Sequence, residues 1–315
     1  MAKKTDHWAN NVERTSVLGI RLLFNLYRVL GRLPFCFALA PVVFCLWATD
    51  SRARGASLDY LKRARLAGYL SEDPNSFLTL KHMYRFAETI LDKMLAAWDK
   101  NYSENLVIEN ESVMTELIAQ KKGAVVLTSH MGCVEALMHH GSISGLPIIA
   151  LVHSANTARF TNMVHQAEAL KNIEFMEVTE LNPASIMTLE EKCAQGYFIF
   201  IAGDRIPIQS DSVVSVPFLK SPATFPTGGA ILAHILKLPL ISMTCWREAS
   251  PRLYETKKTN RYHVRFAMIA DAVRLPRKER QNALTNLMGA YVRELERGLA
   301  ESPLDWFNFY RFWQK

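Results

Sequence analysis

Cysteine is scarce in this chain, and its spacing gives no sign of pairing. The 315 residues contain five cysteines, and no two of them form a Cys-x-x-Cys motif. An odd number of widely spread thiols favours reduced side chains on a cytoplasmic side over a disulfide framework. These residues are Cys36, Cys45, Cys133, Cys193 and Cys245.

Several motifs of familiar chemistry are also missing. The sequence has no phosphate-binding P-loop, no Gly-x-Gly-x-x-Gly motif and no His-Glu-x-x-His zinc motif. Residues 141–145 have the outline of a nucleophile elbow, but isoleucine occupies the position that needs serine. His139 and His140 are adjacent and would point apart on a helix, which suits a shared metal poorly. The sequence therefore predicts neither a metal site nor a bound cofactor.

Negative charge is in deficit. The chain has 37 lysines and arginines against 30 aspartates and glutamates, a formal net charge of +7. A basic excess suits an anionic partner such as a membrane lipid or a phosphate group. Nucleic acid is the least favoured partner, because no arginine-rich tail, zinc-finger spacing or aromatic RNA-binding motif accompanies the charge.

The N-terminal region combines a basic amphipathic stretch with an apolar one, and it has no evident signal-peptide cleavage site. Residues 35–48 are uncharged but only 14 in number and interrupted by Pro41, whereas a spanning helix needs about 20. We interpret residues 1–50 as a monotopic or shallow hairpin membrane anchor; a spanning helix and a buried core helix are the alternatives. The polar stripe of the amphipathic stretch, typical of a helix in a membrane interface, consists of Arg21, Asn25, Arg28 and Arg32.

Helices and then alternating strands and helices are predicted after residue 50. Apolar spacing indicates helices at 58–69, 77–98, 111–121, 134–140, 158–170, 183–195, 228–236 and 278–299. Apolar runs indicate strands at 124–129, 148–153, 173–178, 197–202, 213–219, 240–246 and 262–269. Such alternation predicts an α/β fold with a mainly parallel central sheet flanked by helices. We assign it to one domain, residues 51–315.

The most informative motif follows the first of these strands. The run 124–129 brings His130 to its C-terminal end, and Glu135 comes five residues after the histidine. Open α/β sheets hold their ligands at this edge. With Glu135 in the first turn of the next helix, its carboxylate would orient one ring nitrogen and leave the other as a general base. The alternative is that His130 is a structural histidine, hydrogen-bonded in the core or at the surface.

Other strand ends carry further candidates. Asn156 and Arg159 follow the second strand; either they bind substrate, or they cap and pair within a helix. Asp204 and Arg205 follow the strand 197–202, where site residues are common, with a local salt bridge as the alternative.

Two more features allow more than one interpretation. Thr227 and Gly228 precede an apolar helix whose backbone N–H groups could take an anion or oxyanion, unless the glycines only permit close packing. Cys133 lies three residues from His130 and would suit a Cys-His thioesterase.

Taken together, these motifs resemble the glycerolipid and lipid A acyltransferase superfamily, whose first motif reads His-x4-Asp or His-x4-Glu. His130 and Glu135 match that motif. The nearest branch is that of the bacterial lipid A late acyltransferases, which includes a subgroup tied to aryl-polyene pigment lipids. The other matching positions are 7–8, 13–16, 153–159, 203–205, 216–219, Ala223, 226–228 and 305–309.

The resemblance implies an O-acyltransferase at the cytoplasmic face of a bacterial inner membrane. It would move a fatty acyl chain from a thioester, with acyl carrier protein favoured over coenzyme A, to a lipid or glycolipid hydroxyl. It also implies that Phe218 and Leu219 shape the substrate groove, with core packing as the alternative. An acyl thioesterase and a non-catalytic lipid-binding protein remain rival functions. A basic face that would meet an acidic carrier protein or anionic headgroups comprises Arg52, Arg54, Lys62, Arg63 and Arg65.

Overall fold

Four helices precede the first strand of the computed structural model, which describes residues 17–99, 102–143, 145–153, 173–206, 212–249 and 260–313. They are α1 (Val17–Leu30), α2 (Arg32–Thr49), α3 (Ser51–Ala67) and α4 (Ser76–Trp98). The side chains of Asp50 and Asn75 accept backbone N–H groups at the starts of α3 and α4, so both helices begin at a capping residue.

Strands and helices alternate in the rest of the chain. The strands are β1 (Leu106–Glu109), β2 (Val125–Thr128), β3 (Ile148–Val152), β4 (Ile173–Glu177), β5 (Phe198–Ala202), β6 (Val213–Phe218), β7 (Ser221–Pro226), β8 (Leu240–Arg247) and β9 (Tyr262–Ala270). The helices are α5 (Ser112–Ala119), α6 (Val134–Ile143), α7 (Pro183–Ala194), α8 (Gly228–Ile235) and α9 (Arg280–Glu301). The predicted helix 158–170 lies outside the described residues.

Seven strands form the main sheet, in the order β1-β9-β8-β2-β5-β3-β4. The five strands from β8 to β4 are parallel to one another, whereas β9 runs antiparallel to β8 and parallel to β1. The predicted α/β fold with a mostly parallel sheet is confirmed. β1 escaped prediction because it is a four-residue strand at the sheet edge and is only half-buried.

A separate antiparallel hairpin is made by β6 and β7. The sequence predicted β6 but not β7, since Pro222 and Pro226 argue against a strand. Leu219 and Lys220 form the tip of the hairpin with φ values of +50° and +59°, which non-glycine residues rarely adopt.

The sheet separates two apolar layers. Alternate residues of β2 point to opposite faces, as strand geometry requires. Val125 and Leu127 face a layer that includes α8, α9 and the hairpin, whereas Val126 faces a layer formed with α4 and α6. Because both faces are covered, β2 reads as a continuous apolar run.

Helix α2 belongs only partly to this core. Phe35, Leu39 and Val43 are buried in the layer with α4, but Phe37 is 78 % exposed. Within the described residues, α2 is the one helix long and apolar enough to cross a membrane, with a mean hydropathy of 1.6. This helix is continuous over 18 residues despite Pro41. It is therefore longer than the uncharged run of 14 residues that it contains.

Arg32 does not belong to the polar stripe that the sequence predicted. Its guanidinium lies 2.8 Å from Oε1 of Glu88 and 2.8 Å from Oδ1 of Asp92, both on α4, and only 11 % of the side chain is exposed. Buried charges need such partners. Burial would raise the pKa of Glu88, but Arg247 and Arg32 lower it to about 2. The helical spacing of Arg32 therefore reflects internal ion pairs with α4 and not a solvent-facing stripe.

His82 joins α3, α4 and the C-terminal segment. Its ring is fully buried, with Nδ1 2.9 Å from Oγ of Ser57 and Nε2 3.0 Å from the carbonyl oxygen of Trp306. A carbonyl only accepts, so Nε2 carries the hydrogen and Nδ1 accepts from the serine hydroxyl. Burial lowers the pKa of His82 to about 4.

We predict that His82 makes the fold sensitive to mild acid. Between its unfolded pKa of 6.5 and its folded pKa of about 4, the unfolded chain binds more protons, so stability falls as the pH falls. At pH 5 the loss due to His82 is about 2 kcal/mol. Thermal unfolding at pH 7 and pH 5 should show a smaller difference for His82→Gln than for the unmodified protein. Equal differences would contradict the assignment.

Candidate active site

The register of two neighbouring strands brings the site together. β2 and β5 are parallel, and Thr128 at the end of β2 lies opposite Ala202 at the end of β5. His130 and Asp204 each follow two residues after those positions. Both side chains therefore leave the sheet at the same level of its C-terminal edge, where α/β folds hold their ligands.

His130 and Asp204 form a hydrogen-bonded pair. Nδ1 of the ring lies 2.7 Å from Oδ1 of the carboxylate. The other oxygen, Oδ2, accepts the backbone N–H of His130 at 2.8 Å and the indole N–H of Trp306 at 2.9 Å. The Asp204 side chain is 2 % exposed and that of His130 is 35 % exposed. The carboxylate is thus buried and held by three donors, while the ring reaches the surface.

The electrostatics fix the protonation of the pair. Burial would raise the pKa of Asp204, but His130 and Arg205 lower it to about 2. The pKa of His130 is lowered from its ordinary value, by burial first and then by the positive charge of Arg205. At neutral pH the carboxylate is ionised and can only accept, so Nδ1 carries the hydrogen. Nε2 then holds a lone pair that can take a proton.

The predicted contact of Glu135 with the His130 ring is corrected by the structure, which pairs Glu135 with a lysine. Glu135 does lie in the first turn of α6, as expected. Its Oε1 is 2.8 Å from Nζ of Lys93, because α6 packs against α4. The orienting carboxylate at Nδ1 is that of Asp204 instead. Sequence spacing could not reveal this partner, since it depends on β2 and β5 being neighbours.

Gly132 shapes the turn that carries His130. Its φ is +63°, and a Cβ atom there would lie 2.4 Å from the carbonyl oxygen of Cys245. Both the backbone conformation and the contact with β8 therefore require glycine. The turn therefore packs directly against the backbone of β8 at Gly132.

The C-terminal segment pairs with the same turn. The N–H of Phe307 donates to the carbonyl of His130 at 2.8 Å, and the N–H of Gly132 donates to the carbonyl of Asp305 at 2.9 Å. Met131 and Trp306 form an antiparallel bridge between these bonds. The sequence identifies residues 305–309 only as a stretch that matches the superfamily, because their contact with the site depends on the fold.

Asp305 anchors that segment. Its carboxylate is fully buried and accepts Nε of Arg85 at 2.6 Å and the backbone N–H of Arg247 at 2.6 Å. Burial would raise the pKa of Asp305, but Arg85 and Arg247 lower it. The residues that complete the site are thereby fixed to α4 and β8.

Arg205 lies beside the pair. It is half-buried, and its guanidinium approaches the carbonyl oxygen of Phe307 at 3.4 Å. Burial lowers the pKa of Arg205, against the opposing effect of Asp204. Its charge disfavours protonation of His130 and so keeps the ring neutral.

The remaining candidates differ in what the structure shows of them. The backbone N–H and hydroxyl of Thr227 both donate to the carbonyl of Ser212 at 3.0 Å. A Cβ on Gly229 would lie 2.5 Å from Leu127, so this glycine serves close packing, whereas Gly228 has open space around it. A role for Gly228 in anion binding stays a prediction. Asn156 and Arg159 lie outside the described residues.

Phe218 and Leu219 lie in the core behind Trp306. Phe218 is fully buried, and its ring centre is 5.2 Å from that of Trp306. Leu219 is 1 % exposed, and its N–H donates to Oε1 of Glu296 at 2.7 Å. The core-packing alternative accounts for both side chains here, and their role in a substrate groove stays a prediction.

The described residues give little support for a cysteine nucleophile or for a metal site. Cys133 is fully buried, and burial raises the pKa of its thiol well above the ordinary value, which suits an inert cysteine. Among the described residues there is no group of three or more His, Cys, Asp or Glu side chains that could hold a metal ion.

The family model of the bacterial lipid A biosynthesis acyltransferases matches residues 79–315. This chain belongs to that family. The protein is therefore an acyltransferase of the lipid A type, with an acyl donor and a lipid acceptor. A comparison with curated proteins finds no match.

The family match starts inside α4 and covers the whole sheet, His130, Asp204 and the C-terminal segment. It leaves out α1, α2 and α3. The acyltransferase family is typically membrane-associated, and the apolar α2 lies in the part of the chain that precedes the match.

Asp204→Asn is expected to cost more activity than Glu135→Gln. The amide removes the charge that stabilises a protonated ring and can donate to Nδ1, which would move the hydrogen to Nε2 and leave that atom unable to take a proton. We expect kcat to fall by about 10²-fold or more for Asp204→Asn. For Glu135→Gln we expect a smaller loss, since that side chain pairs with Lys93. Initial rates of acyl transfer to a lipid extract, followed by mass spectrometry, measure both; the reverse ranking would contradict the assignment of Asp204.

Proposed function

We propose that this protein is a membrane-associated O-acyltransferase that uses His130 as a general base oriented by Asp204. The donor is a fatty acyl thioester, carried by acyl carrier protein, and the acceptor is a lipid or glycolipid hydroxyl. The observation that supports this most directly is the 2.7 Å contact between the partly exposed ring and a buried, ionised carboxylate.

The reaction needs no covalent bond to the protein. Nε2 of His130 takes the proton of the acceptor hydroxyl while its oxygen attacks the thioester carbonyl. A C–O bond forms, a tetrahedral intermediate collapses, and the C–S bond breaks. The imidazolium returns its proton to the departing thiolate. Asp204 stabilises the transient positive charge of the ring, as the carboxylate of a catalytic triad does.

Membrane contact is supported by the exposed surface of α1 and α2. Phe37 is 78 % exposed and Val29 is 79 % exposed. Soluble proteins rarely leave so many large apolar side chains together in water. We infer that residues 1–50 bind this chain to the cytoplasmic face of the inner membrane and that residues 51–315 form the catalytic domain. The exposed apolar residues of these helices are Leu22, Val29, Leu30, Leu33, Phe37, Val42, Phe44 and Leu46.

The basic face predicted on α3 is partly used inside the molecule. Arg54 binds the carbonyl oxygens of Trp47 and Ala48. Arg63 lies over the ring of Trp313, 4.5 Å from its centre. A carrier protein would therefore meet mainly the exposed side chains of this helix, which are Arg52, Lys62 and Arg65.

A thioesterase is the rival function with the same base. Water would then replace the acceptor hydroxyl, and the products would be a free fatty acid and a thiol. Product analysis with and without a lipid acceptor separates the two activities, since only a transferase makes more ester when acceptor is added.

His130→Ala should reduce kcat by about 10²-fold or more, the usual loss for a general base. In the unmodified protein, kcat/KM should fall as the pH falls through the pKa of the ring. Because burial lowers that pKa, the midpoint should lie below 6.5. His263→Ala is the matched control, since His263 pairs with Glu109 on a strand that is not a neighbour of β2. Near-normal turnover in folded His130→Ala protein would falsify the mechanism.

The double substitution Phe37→Asp, Phe44→Asp should release the protein from membranes, because two charges would enter the apolar interface. Co-sedimentation with vesicles of phosphatidylethanolamine and phosphatidylglycerol measures the bound fraction. Met187→Asp is the control, since Met187 is 64 % exposed on α7, whose buried side chains pack in the other apolar layer from those of α2. Undiminished binding of the double variant would show that α2 does not hold the membrane.

A further inference from the structure

We propose that Trp306 is a positioning residue for catalysis: its indole N–H holds the carboxylate of Asp204 and thereby tunes His130 as a base. The inference rests on the proposed general-base role of His130. It concerns a residue more than 100 positions away from both members of the pair.

The contact is suited to fixing the carboxylate. Nε1 of Trp306 lies 2.9 Å from Oδ2 of Asp204, and both side chains are at least 98 % buried. The backbone N–H of His130 donates to the same oxygen, so Oδ2 is held from two directions. Oδ1 is left to the ring at 2.7 Å. The indole therefore stops the carboxylate from turning away from Nδ1.

Trp306 is itself rigidly held. Its carbonyl oxygen accepts from the ring of His82 at 3.0 Å, and its backbone bridges Met131. Its ring centre lies 5.0 Å from that of Tyr60 and 5.1 Å from that of Phe312. A side chain packed on several sides cannot follow Asp204 if it moves, so the donor position is fixed before substrate binds.

The bond also has an electrostatic consequence. A donor to a buried carboxylate favours its ionised form and offsets part of its negative charge. Asp204 then attracts a proton on His130 less strongly, so the indole keeps the pKa of the ring low. Removing the N–H should leave the carboxylate more basic and raise the pKa of His130.

Other ionisable groups also surround the pair. Arg205 and Lys93 both lower the pKa of His130. Lys93 is itself paired with Glu135, and the hydroxyl of Tyr310 lies 3.4 Å from the backbone carbonyl of Asp204. All of these groups are retained when Trp306 alone is changed.

The test is Trp306→Phe, which removes the N–H and keeps an aromatic ring. Trp313→Phe is the matched control. Trp313 packs on the same aromatic cluster, 6.1 Å from the ring of Trp306, but its Nε1 is buried without a partner among the described residues. Both substitutions remove similar ring volume, and only the first removes a bond to Asp204.

For Trp306→Phe we expect kcat to fall about tenfold with KM unchanged, because the residue does not touch substrate. The acidic midpoint of kcat/KM should rise by about 0.5 to 1 pH unit. Nitrogen-15 NMR of labelled histidine in detergent micelles should show the same rise in the pKa of the His130 ring. Trp313→Phe should leave both midpoints where they are in the unmodified protein.

The outcomes separate this inference from the proposed function. If the unmodified protein has its acidic midpoint and Trp306→Phe does not move it, the positioning role is wrong while the base stands. If both tryptophan variants move it alike, the effect is one of packing and the inference also fails. If His130→Ala keeps its activity, the base itself is wrong, yet the NMR titration still reports whether Trp306 tunes the ring.

Discussion

One buried carboxylate, that of Asp204, governs the arrangement of this site. An ionised carboxylate that is 2 % exposed is stable only if donors replace its lost water. Its donors come from three places: the backbone of His130, the ring of His130 and the indole of Trp306. The strand register supplies the first two, and the C-terminal segment supplies the third. The position of the His130 ring is therefore a consequence of satisfying a charge that the fold has buried.

A chain of further ion pairs connects this edge of the sheet to the apolar helix α2. Asp305 is held by Arg85 and by the backbone of Arg247, and the side chain of Arg247 pairs with Glu88. Glu88 also pairs with Arg32 at the start of α2. Removing one member would leave another charge buried without its partner, which is strongly destabilising. Helix α2 is thus fixed by electrostatics to the sheet edge that carries His130 and Asp204, as well as by its three buried apolar side chains.

The fold was predictable where burial leaves a local pattern. The parallel strands β2 and β5 are covered on both faces, so each reads as an apolar run, and His130 was recognisable at the end of one. The partner of His130 was not predictable. Glu135 is five residues away in sequence and visible to spacing arguments, whereas Asp204 becomes a neighbour only through the sheet order. The prediction for Arg32 was wrong for a related reason. Its helical spacing fitted a solvent-facing stripe, but its partners lie on α4.

The charges around His130 fit the proposed general base, which has two opposing needs. The ring must be neutral before the reaction, and burial and the cation Arg205 favour that state. It must then carry a proton while the acceptor oxygen attacks, and Asp204 stabilises that state through Nδ1. A site with only the cation would hold too weak a base, and a site with only the carboxylate would hold a ring protonated at rest. Placing Asp204 and Arg205 next to each other at the end of β5 supplies both effects from one turn, beside a ring that is 35 % exposed.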